Sequence, residues 1–167
     1  MAKKQTNHGG APEGRKSLSH TYSQLHVHIV FSTKHRYPFL HGKLRHRLFP
    51  YMGGIIRELD GKPIRVNGVA DHVHILASLP PRIAVSDVLR TVKANSSRWI
   101  HEEFPSQAKF AWQTGYGVFS VSHRDLESVL RYVNNQEEHH RVKTFQEEFL
   151  SFLHEYGIEY DEKYLWD

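Results

Sequence analysis

The 167-residue sequence has no cysteine. That absence excludes a disulfide framework, a thiolate zinc site and a cysteine nucleophile together, and it suits a reducing compartment. No apolar run approaches the roughly 20 residues of a membrane-spanning helix. The opening stretch, residues 1–20, carries basic residues (Lys3, Lys4, Arg15, Lys16) but no apolar centre. It therefore lacks the pattern of a secretion signal and is expected to form a disordered basic tail. Residues 21–167 then suit a single domain in a cytoplasmic protein. An excess of acid is missing too. The formal net charge is +4, which is compatible with a polyanionic partner such as nucleic acid. Histidine, by contrast, is abundant, with 14 residues.

The apolar residues are ordered by period. Leu25, Val27, Ile29 and Phe31 alternate with polar neighbours, which predicts a half-buried strand over 22–32. Apolar positions at helical spacing predict a helix over 44–59, ended by Asp60-Gly61. Strands are expected over 62–70 and 72–79, the latter stopped by Pro80-Pro81. A helix capped by Ser86 should run to about Phe104, followed by a short strand at 117–122. One helix capped by Ser122 is expected to run to about Val142, and a Thr144/Glu147 capping box opens another. The order β-α-β-β-α-β with extra C-terminal helices is α+β and ferredoxin-like. Such a sheet is expected to carry helices on one face and leave the other open.

Histidines at i and i+2 of a strand project from one face, where two rings can converge on a metal. Composition alone predicts about one such pair. The sequence has His26/His28 and His72/His74, and ferredoxin-like order puts both on adjacent strands and on the same face. Spacing does not rank them. Tyr132 and Gln136 are four apart and share a helical face. His139 and His140 follow closely as rival ligand candidates. Nothing in periodicity selects Tyr132 among the eight tyrosines.

A resemblance does. Asp71-His72-Val73-His74-Ile75 resembles the His-hydrophobe-His motif of HUH nucleases. Trp112-Gln113-Thr114-Gly115-Tyr116-Gly117-Val118-Phe119-Ser120 followed by Tyr132-Val133-Asn134-Asn135-Gln136-Glu137-Glu138-His139-His140 is similar to the single-tyrosine transposases of bacterial insertion sequences, the insertion-sequence-200-like family. The resemblance runs from about Tyr22 to the C-terminus. It implies an α+β ferredoxin-like core, a homodimer with shared active sites, and single-stranded DNA with hairpin ends as substrate. It implies Tyr132 as the catalytic nucleophile of a 5′-phosphotyrosine intermediate. It also implies His72, His74 and Gln136 as ligands of Mg²⁺ or Mn²⁺, no nucleotide cofactor, and a bacterial, nucleoid-associated setting. No family ligand carries over to His26 or His28.

Lys34, Arg36, Arg82, Arg90 and Lys93 are candidates for phosphate contacts, and Tyr37 and Trp112 for base stacking. Competing readings are a replication-initiator or relaxase-type HUH nuclease, a non-catalytic domesticated DNA-binding relative, and a histidine-rich metal protein with no DNA role.

Overall fold

Alternating side chains build the sheet. The computed structural model describes residues 22–166, so the expected tail at 1–20 lies outside the described residues. Strands β1 (Leu25–Ser32), β2 (Lys62–Gly68), β3 (His72–Leu79) and β4 (Gly117–Val121) form one four-stranded sheet in the order β2-β3-β1-β4. Every neighbouring pair is antiparallel. Helices α1 (Gly42–Glu58) and α2 (Val85–Glu103) make the two crossovers. This is the expected ferredoxin-like α+β order. Among the described residues no helix is long and apolar enough to cross a membrane.

The first face carries the main core. Val27, Ile29 and Phe31 of β1 and Val73, Ile75, Ala77 and Leu79 of β3 pack on Leu48, Met52 and Ile56 of α1 and on Val88, Leu89 and Val92 of α2. Burying each large aliphatic chain stabilises by ~1.5–3 kcal/mol, and this layer fixes strand register. A one-residue slip would turn His72 and His74 into the aliphatic core.

The turn from β2 to β3 brings two backbones close together. A Cβ on Gly68 would lie 2.3 Å from the carbonyl oxygen of His72. Gly68→Ala is therefore expected to cost ~1–3 kcal/mol, read as a lower thermal midpoint. An unchanged midpoint would show that the turn relaxes freely.

The second face is not open, which corrects the sequence reading. Helices α3 (Leu126–Asn134), α4 (Gln136–His139) and α5 (Phe145–Glu155) cover it, and a short α6 (Glu162–Leu165) follows. The cause lies in the strands: Val30, Leu76 and Phe119 also point that way and are fully or almost fully buried. Val30 and Phe119 pack on Phe145, Phe149 and Leu153 of α5. Leu76 and Val121 pack on Val133 of α3. Gly117 lets α5 settle, since a Cβ there would meet the Phe149 ring at 2.7 Å.

Three local expectations also change. The helix expected from 123 to 142 is divided at Asn135, which leaves helical geometry at φ −97°, ψ 25°. Asp125 caps α3 in place of Ser122, whose Oγ instead accepts from the Asp125 N–H at 3.2 Å. Ala84 rather than Ser86 precedes α2, because the chain already turns there and the Ala84 carbonyl accepts from Asp87 N–H at 3.0 Å. The Thr144/Glu147 capping box is present as read.

Candidate metal and tyrosine site

β3 delivers His72 and His74 to the second face, where both are completely buried. β1 brings His28 beside them on the same face. His74 Nδ1 lies 2.9 Å from His28 Nε2. His26, further along β1, stacks instead on His123, with ring centroids 6.2 Å apart. The four histidines do share a face, and only one pair enters the cluster described next.

His72, His74, His140 and Glu148 place one ligand atom each within 4.8 Å of one another. Glu148 Oε2 lies 3.2 Å from His140 Nε2, 3.5 Å from His74 Nε2 and 3.7 Å from His72 Nε2. The outer nitrogens are already engaged. His72 Nδ1 faces Asp71 Oδ1 at 2.6 Å, and His140 Nδ1 faces the Lys143 carbonyl at 2.8 Å. Each of these acceptors requires an Nδ1–H, as does His28 Nε2 when it accepts from His74. All three Nε2 atoms then carry lone pairs pointing at a carboxylate.

Lone pairs and a carboxylate facing one another repel unless a proton or a metal cation lies between them. The polar bookkeeping agrees: His72 Nε2, His74 Nε2 and both Glu148 oxygens are buried without a hydrogen-bond partner. Burial pushes His28 down to about 4, and burial followed by the His72 charge pushes His140 down to about 4. His74 falls well below the usual histidine value, through burial and then its histidine neighbours. Burial, then the Asp71 charge, pushes Glu148 up to about 8. Every one of these groups is driven towards its neutral form, as expected of a cluster built around a positive charge that balances it. The donor set fits a divalent cation.

Tyr132, on α3, borders this cluster within the same chain. Its ring centroid lies 5.9 Å from that of His74, 6.1 Å from His28 and 5.0 Å from His139. Its hydroxyl is buried without a hydrogen-bond partner. Gln136 is completely buried and its Oε1 lies 3.1 Å from His140 Nε2, while its Nε2 donates to the Tyr132 carbonyl at 3.2 Å. His72, His74, Tyr132 and Gln136 thus meet on one face.

The sequence pattern does not single out Glu148 as a site residue. A signal for it existed, because Phe145, Glu148, Phe149 and Phe152 lie at helical spacing and set a carboxylate into an aromatic stripe. The sequence offers His140, with His139, as a rival ligand candidate.

The basic candidates separate. Arg36 borders a cleft of about 430 Å³ whose walls include Asp71, His140 and Lys143, and its guanidinium lies over Trp166. Lys34 is exposed on the same 3-10 turn. Arg82 pairs with Asp60 and Arg90 with Asp87 on the surface. Lys93 donates to the carbonyls of Gln113, Thr114 and Gly115 at 3.0, 3.2 and 2.7 Å, so its three protons anchor that loop, and burial pushes it down to about 8. Trp112 packs edge-on against Phe31 and donates to Ser96 Oγ at 3.0 Å, whereas Tyr37 is exposed.

Known proteins are similar to this chain in sequence and in fold. Residues 21–136 match the family model described as transposase IS200-like. The transposase for insertion sequence element IS200 of Salmonella typhimurium LT2 is 31% identical over 137 residues, covering 76% of this chain and 86% of that protein. The ISDra2 transposase TnpA of Deinococcus radiodurans is 25% identical over 129 residues, covering 74% and 91%. A transposase-family crystal structure from Deinococcus radiodurans R1 superposes with a TM-score of 0.60 at 22% identity, covering 72% of this chain and 97% of that one. A REP-associated tyrosine transposase bound to a REP hairpin superposes with a TM-score of 0.55 at 13% identity, covering 75% and 74%.

Proposed function

The chain belongs to the IS200-like transposase family, and from that premise we propose that it cuts and rejoins single-stranded DNA by transesterification through Tyr132. The observation that carries this reading is the buried, unpartnered Tyr132 hydroxyl beside the His72/His74 cluster. A buried hydroxyl without a partner costs stability, and a catalytic role is one reason a fold retains such a group.

Tyr132 Oη attacks the scissile phosphorus and forms the 5′-phosphotyrosine bond. The bond from phosphorus to the 3′ oxygen breaks, and the departing strand leaves as a 3′-hydroxyl after taking up a proton. Attack by a second 3′-hydroxyl reverses the step on another strand. One phosphodiester is exchanged for another throughout, so no nucleotide is consumed. A phenol, with a pKa of about 10, is a poor nucleophile at neutral pH. A divalent cation held by His72, His74 and Gln136 would polarise the phosphate and offset the charge of the transition state. The protein's own part is orientation: β3 fixes the imidazoles, α3 fixes the phenol, and Asp71 and His28 fix the ring tautomers.

Arg36 and Lys143 beside the cleft at His140 would draw a phosphate towards the site. The fold neighbour was solved on a REP hairpin, which makes a hairpin-bearing single strand the substrate to test first. We also carry forward a homodimer as the working assembly, although one chain already brings Tyr132 to its own histidines.

With Mn²⁺ and matched single-stranded and duplex oligonucleotides, protein-linked DNA is expected from the single strand alone, and only with metal. Metal-dependent cleavage without protein-linked product would mean hydrolysis and would overturn the mechanism.

A further inference from the structure

We propose that His140 and Glu148 are metal ligands too, so that the cation held by His72, His74 and Gln136 gains a third imidazole and a carboxylate from the same chain. The inference rests on the metal-assisted reading above and deepens it, because a site of His72, His74 and Gln136 alone contains no anion. Hard divalent cations are held largely by anionic oxygens, and an all-neutral protein set leaves the ion's charge to be balanced by the substrate phosphate alone. Glu148 supplies the missing charge from α5, and His140 supplies a third nitrogen just after α4. Both follow the end of the family match at residue 136.

Geometry sets these residues apart from an ordinary buried ion pair. The four donor atoms lie within 4.8 Å of one another, and three of the residues are almost fully buried. The Nδ1 atoms of all three histidines are taken by Asp71, His28 and Lys143, which is how metal-binding imidazoles are oriented. Neither Glu148 oxygen has a hydrogen-bond donor, although α5 is anchored by Phe145, Phe149 and Leu153. An apolar helix face that carries one carboxylate into three lone pairs is explained by the cation they share. Three imidazoles also make the site nitrogen-rich, which favours Mn²⁺ or Zn²⁺ over Mg²⁺.

The test is Mn²⁺ binding to the full chain, by titration calorimetry and by loss of the free-ion paramagnetic signal. One ion per chain is expected, bound more tightly than Mg²⁺. Glu148→Gln keeps the shape and removes the charge. It should raise the Mn²⁺ dissociation constant by ~100-fold or more while leaving the thermal midpoint of the chelated protein at or above that of the wild type. His140→Ala should weaken binding comparably and keeps the inference testable if the first variant fails to fold. Wild-type Mn²⁺ affinity in either variant would overturn the ligand assignment. Absence of Mn²⁺ binding by the wild-type chain would overturn it together with the metal-assisted reading. Binding through this set without covalent DNA attachment would leave the ligands standing and sink the proposed reaction.

Discussion

Tyr132→Phe is expected to lose covalent DNA attachment by about 10⁴-fold or more while folding and binding DNA as the wild type does. The two halves of this result have separate causes. Attachment fails because the oxygen that would bond to phosphorus is gone. Folding survives because the ring remains packed against His28, His74, His139 and Phe152. The deleted hydroxyl makes no hydrogen bond, so its removal relieves a buried unsatisfied group that costs ~1–3 kcal/mol. The thermal midpoint should therefore hold or rise. A variant that loses attachment together with its fold would indicate a packing role for Tyr132 instead. Gel-shift assays on a single-stranded hairpin, denaturing gels for covalent adducts and a melting curve separate these outcomes.

His72→Ala should reduce cleavage by about 10³-fold or more, because a metal's stabilisation of a developing phosphate charge is worth several kcal/mol. His26→Ala should leave cleavage near the wild-type rate. The two histidine pairs are equivalent in spacing, so their difference arises from the fold. His72 Nε2 points into the four-residue cluster and its Nδ1 is held by Asp71. His26 stacks on His123 and pairs across the sheet with Ser78 and Val121, away from that cluster. His28 is intermediate: it lies outside the four-residue cluster, and its Nε2 lies 2.9 Å from His74 Nδ1, where it orients that ring. Its replacement by alanine should weaken metal binding ~10–100-fold. Equal losses in His72→Ala and His26→Ala, measured under saturating Mn²⁺, would remove the basis for preferring one pair.

These residues also mark how far the sequence could be read. The sheet and the two crossover helices were legible because a period of two and a period near 3.6 leave unambiguous patterns in Leu25–Phe31 and Leu44–Leu59. The break at Asn135 was not legible, since residues 123–142 keep helical composition on both sides of it and only tertiary packing separates α3 from α4. The covered second face was missed for a related reason. Polar histidines on β1 and β3 read as a solvated face, while Val30, Leu76 and Phe119 on that face each look like isolated apolar residues until the strands are assembled. Spacing identified His72 and His74 as a pair but did not rank them above His26 and His28, and the resemblance was needed to select Tyr132. Glu148 escaped both routes. The resemblance implies no ligand there, and a Glu beside the capping residue Glu147 reads as helix-start chemistry until its burial is known.

The account depends on Tyr132 as the nucleophile. The most direct measurement is to trap the adduct between the wild-type protein and a labelled single-stranded oligonucleotide in Mn²⁺, digest it, and map the modified residue by mass spectrometry. The expected result is a single nucleotide-bearing peptide modified at Tyr132 through a 5′-phosphate linkage. Modification at any other residue, or a 3′-phosphate linkage, would contradict the account.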